Sequence, residues 1–315
     1  MAKEPSLFTR ARFSSLLTGI GAVLAGTACA SLSGNSELIP ASLCIVFVVF
    51  AQLSANFYYR YVDLKRNSGT YIDHRISTKS KKGQFNFLKE CSLAMFFIAL
   101  MIGLALASMG GWWTLLIGGF IFVAAWLTCG GSTPLLRTPF GAVSSFILFG
   151  PVCVIGTCML QVVHESIGRI NWSYIIPAVY MGVVIGLMSF NATMLYGYAN
   201  YTTDLRNSKV TLVGAVGRRW GRIIFLLNGF LYTAITVIMC LQLNLELNGV
   251  DMLPSVICLF VDIYIWWQMR TRPRYQYAQL IDLGNFNVFL MGLLSYIIFE
   301  ITGHADLSQM SFFGL

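Results

Sequence analysis

Two short polar segments hold most of what this chain could use for chemistry. SANFYYRYVDLKRN (54–67) places Asn56, Arg60 and Asp63 at i, i+4 and i+7, so a helix running through it would align them on one stripe. NYTTDLRNSKVTL (200–212) places Asn200 and Asp204 at i and i+4, again on one helical face. Were the two stripes to face each other across a cavity, Asp63 and Asp204 could share hard cations such as Mg²⁺ through oxygen ligands and waters. Mg²⁺ typically takes one or two carboxylates and completes its shell with substrate phosphates and water. Arg60, Lys65, Arg66, Arg206 and Lys209 would then be placed to contact phosphate directly. The plainer alternative is helix caps and interfacial ion pairs, Asp63 with Arg60 or Arg66 and Asp204 with Arg206 or Lys209. Spacing alone leaves both readings open.

The segments also echo each other. YGYANYTTDLRNSK (196–209) repeats the order Asn, Asp, Leu and a basic residue seen in 54–67, each time just past an even-numbered apolar run. Internal repeats in membrane proteins often place binding sites at the repeat interface.

What must position these residues is a membrane bundle. Of the 315 residues 57% are hydrophobic and 11% charged, against about 25% charged in ordinary soluble domains. Apolar runs of membrane-crossing length recur at about 14–33, 38–59, 90–109, 111–128, 141–163, 172–196, 221–243, 252–268 and 287–303. Each can cross a hydrocarbon core of roughly 30 Å as a helix. The expectation is an all-α, nine-helix bundle around a central cavity, a single integral-membrane domain over 1–315. Gly110-Gly111 is the weakest divider, between the third and fourth runs. Polar stretches at about 60–89, 197–220 and 269–286 are expected as long loops on one face.

Charge orients the bundle. Taking the loops alternately, all 21 Lys and Arg except Arg169 fall on the side of the N-terminus, which the positive-inside rule assigns to the cytoplasm. The net charge of +8 therefore belongs to one membrane face, where it would meet anionic lipid. With no basic soluble domain, nucleic-acid binding has no support. The eight cysteines contain no C-x-x-C pair and the three histidines are far apart, so neither a zinc site nor a disulfide framework is indicated. The apolar run after MAKEPSLFTRARF has the length of a retained span rather than a cleaved signal. Two acids lie within spans. Asp262 is read as paired with a tyrosine or, alternatively, touching an acceptor hydroxyl, and Glu300 as reaching the outer interface.

The chain resembles the UbiA superfamily of intramembrane aromatic prenyltransferases, and most nearly its 1,4-dihydroxy-2-naphthoate (menaquinone) branch. That family's second Asp-rich motif reads D-x-x-x-D-x-x-x-G-K-x-T-L. Here the register gives Asn200, Asp204, Ser208, Lys209, Thr211 and Leu212, with Gly217 beyond. The branch's first motif, N-L-A-N-D-Y-x-D, aligns with NFYYRYVD (56–63), which keeps Asn56, Tyr61 and Asp63 but has Tyr59 and Arg60 for Asn and Asp. CGGSTPLLRTPFGAVSSFILFGPVCVIGT (129–157) resembles the segment between the motifs, with Ala142 where the family shows Glu. RARFSSLLTGIGAVLAG (10–26) and GNFNVFLMGLLSYIIFEITG (284–303) resemble the family's first and last helices.

The resemblance implies a Mg²⁺-dependent transfer of a polyprenyl group from its diphosphate to an aromatic acceptor. That acceptor would be 1,4-dihydroxy-2-naphthoate, and the active face would lie on the cytoplasmic side of a bacterial inner membrane. Asp63 and Asp204 would anchor the cation and diphosphate, with Asn56 and Asn200 in support and the Asn200 carbonyl oxygen as a further metal ligand. Arg60, Lys65, Arg206 and Lys209 would hold phosphate, and Tyr61 would steady the developing allylic cation. The three lost family acids motivate other readings on the same scaffold: another acceptor, or a non-catalytic lipid-binding or transport protein.

Overall fold

The computed structural model describes residues 13–32, 34, 36–67, 78–131, 133–162, 172–243, 250–272 and 276–302. Among these no strand occurs, and nine helical stretches are long and apolar enough to cross a membrane. In chain order the α-helices are α1 (Phe13–Ser31), α2 (Leu38–Asn67), α3 (Thr78–Gly110), α4 (Trp112–Cys129), α5 (Phe140–Ile147), α6 (Cys153–Val162), α7 (Trp172–Ala199), α8 (Tyr201–Arg206), α9 (Leu212–Gln242), α10 (Leu253–Thr271) and α11 (Tyr277–Thr302). A bilayer admits this solution because each backbone N–H and C=O is satisfied within its own helix.

α1 and α7 are the inner helices. The α1 sequence FSSLLTGIGAVLAGTACAS is rich in small residues, which in lipid lets helices approach closely and pack by dispersion. A Cβ on Gly21 would lie 2.6 Å from the Val288 carbonyl oxygen of α11, and one on Gly26 would lie 2.6 Å from that of Val154 in α6. α1 therefore packs against α11, α6, α7 and α2, while α9 and α10 complete one side and α3 and α4 flank α2 on the other.

The nine apolar runs are all present as helices, and Gly111, at φ 85°, does break the chain between α3 and α4. The expected long loops are different in kind. α2 continues to Asn67, α3 begins at Thr78, α9 at Leu212 and α11 at Tyr277, so the polar stretches are largely helical extensions beyond the apolar zone. Sequence hydropathy marks where lipid ends, whereas the intrahelical hydrogen bonds carry on past it.

Two irregularities shape the interior. The run 140–162 is divided by a π-helical turn, Leu148–Val152, with Gly150 at φ −81°, ψ −105° and Pro151 inside it. Proline removes the donor that would continue the ladder, and π-turns and prolines are where helices bend. Gly150 also packs onto Gly186 of α7, whose nitrogen would lie 2.9 Å from an added Cβ. α9 is kinked at Gly217, whose φ of 83° suits glycine.

Candidate functional site

The second polar segment folds as a break between membrane helices rather than a plain turn. α7 stops at Ala199, Asn200 (φ −94°, ψ 11°) leads into the single-turn helix α8, and Ser208 takes φ 51°. Thr211 then caps α9, its Oγ1 accepting from the Gly214 N–H at 3.3 Å. Gly197 allows the close approach, since a Cβ there would lie 2.7 Å from the Thr211 hydroxyl. This fold-back buries Asp204, which is 7% exposed, and sets Lys209 Nζ 3.3 Å from its Oδ1.

In the first segment the helix does continue, so Asn56, Arg60 and Asp63 lie along α2. Asn56 donates to Ser15 Oγ of α1 at 3.1 Å. Asp63 forms an ion pair with Arg137, a residue that the sequence reading counted only among the loop charges. Arg137 stands in the 3₁₀ turn Leu135–Arg137 and is buried. Its second guanidinium nitrogen donates to the Asn207 carbonyl at 2.8 Å, and its own carbonyl accepts from the Val210 N–H at 3.1 Å. Arg137 thus ties the two polar segments together, with Asp63 on one side and the Asn207–Val210 strap on the other.

Beneath this end lies a cavity of about 190 Å³. Its lining is polar toward the two segments, with Ser15, Asn56, Tyr59, Tyr196, Lys209 and Asn285, and apolar deeper in, with Phe47, Ile121, Leu148 and Phe149. Asn285 is held by α1 and α7: Thr18 Oγ1 donates to its Oδ1 at 3.0 Å and its Nδ2 reaches the Tyr196 hydroxyl at 3.2 Å. Lys209 Nζ lies 6.0 Å from the Tyr59 ring centroid. A second, apolar space of about 80 Å³ shares Phe47, Val48, Ile121 and Cys153 with the first. It extends the cavity between α2, α3, α4 and α6, where Gly103, Gly118 and Gly156 leave room.

The other site candidates are distributed differently. Tyr61 does not line the cavity: it stacks on Tyr58 at 6.2 Å and meets Phe85 of α3 edge-on at 6.3 Å, with Lys65 Nζ 6.0 Å from its ring. The cavity-facing ring on α2 is Tyr59, three residues after Asn56, because helical rotation carries position 61 to the α3 side. Arg206 and Asn200 are exposed, and the Asn200 amide donates to the Tyr196 carbonyl at 3.0 Å. Ala142 lines the cavity and is buried, so the carboxylate that the resemblance would lead one to expect there is missing from the interior itself. Asp262 accepts from Asn287 at 2.9 Å and Asn191 at 3.4 Å, away from the cavity. The tyrosine facing it is Tyr232 of α9, while Tyr264 of its own helix meets Arg272. Arg137, Tyr59, Tyr196 and Asn285 were missed as site residues. Only Tyr59 gave a sequence signal, as a departure within the first motif.

Among the described residues no group of three or more His, Cys, Asp or Glu could hold a metal by itself. Asp63 and Asp204 are each paired with a cationic side chain, Arg137 and Lys209, and neither carboxylate lines the cavity itself.

Comparison with known proteins gives a consistent picture. No family model matches the chain. It is 26% identical over 229 residues to a protein of Mycobacterium tuberculosis named 1,4-dihydroxy-2-naphthoate octaprenyltransferase, covering 71% of this chain and 74% of that one. Proteins of the same name from Mycobacterium leprae (27% identity, 69% and 71% covered) and Bacillus subtilis (23%, 62% and 61%) also match. In fold, the chain is similar to the apo structure of a UbiA homolog from Aeropyrum pernix K1, with TM-score 0.63 and 13% identity over 88% of this chain and 96% of that one. It is also similar to a digeranylgeranylglyceryl phosphate synthase structure in membranes, with TM-score 0.57 and 13% identity over 92% and 99%.

Proposed function

We propose that this chain, a homologue of the 1,4-dihydroxy-2-naphthoate octaprenyltransferases with the fold of a UbiA homolog, transfers a polyprenyl group from its diphosphate to an aromatic acceptor in quinone biosynthesis. The acceptor named for the relatives, 1,4-dihydroxy-2-naphthoate, is the substrate to test first. The observation that carries this reading is the cavity: charged and polar at the end where both motif segments meet, and apolar beyond it. A prenyl diphosphate has the same polarity profile, a charged head on a hydrocarbon tail. The proposed protein is one integral-membrane unit, 1–315, with its basic end in the cytoplasm of a bacterial inner membrane.

The roles follow from position. Lys209 borders the cavity and Arg137 stands behind it, so these two cations, with Arg60 on α2, would take the diphosphate oxygens through charge-assisted hydrogen bonds, whereas Lys65 lies with Tyr61 on the α3 side of α2. Asp63 and Asp204 would hold the divalent cation, taken as Mg²⁺, with Asn200 at the margin of the set. When bound, that ion neutralises the leaving diphosphate and orients it. The C–O bond to the allylic carbon breaks with its electron pair leaving on diphosphate, and an electron-rich ring carbon of the acceptor bonds to the allylic carbon. That ring carbon then releases the substituent it carried, a proton or a carboxyl group as carbon dioxide, to restore the aromatic ring. Tyr59 and Tyr196 border that space and would offer the developing cation an aromatic face. This moves to Tyr59 the role that sequence alone suggested for Tyr61.

The test is a membrane assay with Mg²⁺, labelled polyprenyl diphosphate and 1,4-dihydroxy-2-naphthoate, followed by mass spectrometry of the lipid extract. A metal-dependent prenylated product that disappears with Asp204→Ala supports the proposal. A preparation that binds the diphosphate but forms no product, beside an active relative, would favour a lipid-binding or transport protein. That second reading draws on the pairing of each carboxylate with a basic side chain.

A further inference from the structure

A polar node lies inside the bundle, apart from the cavity, where α7, α9, α10 and α11 meet. Its centre is Asp262, 3% exposed and within a membrane-crossing stretch. Asn287 donates one amide hydrogen to Asp262 Oδ1 at 2.9 Å and the other to the Cys258 carbonyl at 3.1 Å. Asn191 donates to the Phe225 carbonyl at 3.0 Å and to Asp262 Oδ2 at 3.4 Å, and its own oxygen accepts from Asn228 at 3.1 Å. No Lys, Arg or His among the described residues pairs with this carboxylate. Of two further buried oxygens, Asn287 Oδ1 has no hydrogen-bond partner, and the Tyr232 hydroxyl faces Asp262 and Asn287 but makes no hydrogen bond of normal geometry to either, so both belong to the node. Beside it Gly229 carries no side chain, and a Cβ there would lie 3.7 Å from Asp262 Oδ2.

An intramembrane carboxylate is costly and is normally paired, and buried orphan oxygens are likewise costly. One monovalent cation would answer both. It would cancel the single negative charge and take the carboxylate, amide and hydroxyl oxygens as ligands. A divalent ion would leave net charge in hydrocarbon, since the node holds one acid. We propose that Asp262, Asn287 and Tyr232 form a binding site for one alkali-metal cation that joins α9, α10 and α11 in the membrane interior. The hard, all-oxygen donor set suits such an ion. The site is separate from the proposed transfer reaction, and its test does not depend on that reaction.

The experiment is thermal unfolding of the detergent-purified full chain, with sodium chloride titrated against N-methyl-D-glucamine chloride at constant ionic strength. Ligation to the folded state raises the unfolding temperature saturably. The expected result is a sodium-specific rise in the parent protein that is lost in Asp262→Asn. In Asn287→Ala the salt midpoint should move up by roughly tenfold, and this variant decides if Asp262→Asn does not fold. Unfolding of the parent protein that is identical in the two salts would overturn the proposal. So would an undiminished sodium response in Asp262→Asn, or in Asn287→Ala where that variant decides.

Discussion

The Asp204–Lys209 pair allows stability and catalysis to be separated in one set of variants. The two charges are 3.3 Å apart, with side chains 10% and 13% exposed. At an effective dielectric of about 20 the direct attraction is about 5 kcal/mol, of which burying both groups takes back a large part. Removing one partner takes this ion pair from the other, so Asp204→Asn and Lys209→Met are each expected to destabilise by about 3 kcal/mol. The double variant removes both charges together and should lose less than the sum, with a coupling of about 2 kcal/mol. Denaturant titration in detergent reads these values. Turnover in the prenyl-transfer assay reads the other axis. Asp204→Asn is expected to lose at least about a hundredfold in kcat, and the double variant should recover stability without recovering turnover. A coupling under about 0.5 kcal/mol would refute the buried pair. Wild-type turnover in Asp204→Asn would refute its role as diphosphate anchor.

Arg137→Met removes the tie between Asp63 and the Asn207 carbonyl. With Asp63 32% exposed, solvent screening limits the loss to about 1–2 kcal/mol. The KM for polyprenyl diphosphate should rise, and Arg137→Lys should restore part of it; an unchanged KM would leave Arg137 a purely structural link. Gly118→Phe tests the apolar extension. A Cβ at Gly118 meets nothing within 4 Å, so the ring can enter the space between α2, α3, α4 and α6. The variant should keep short prenyl diphosphates as substrates and lose long ones, and an unaltered product profile would place the tail elsewhere.

The membrane helices were readable because lipid imposes one rule on every span, and Gly110-Gly111 was readable as a break because two glycines interrupt an otherwise continuous run. The helical extensions were not, since polar helix and polar loop have the same hydropathy. At the site, the stripe of Asn56, Arg60 and Asp63 followed from local periodicity. Arg137 did not: it reaches Asp63 across 74 residues from a three-residue turn, and no local pattern reports such a meeting. Tyr61 and Tyr59 differ only in which neighbour each faces, α3 or the cavity, and that is decided by packing. The apolar extension was hidden for the same reason, since its glycines come from three different helices.

The seam between α1 and α11 also bears on how the protein is made. A ribosome delivers α1 first among the described helices, yet the surface that matches Gly21 and Thr18 is offered by Val288 and Asn285, the last to emerge. The side of α1 that faces α11 must therefore wait in the lipid until α11 emerges. Contacts this remote in sequence form late and slowly. A chain cut before α11 would lack the keystone of its arch rather than one peripheral stone, and is expected to be cleared by membrane proteases instead of persisting as a smaller bundle. Pulse-chase of a 1–276 truncation would measure that lifetime directly.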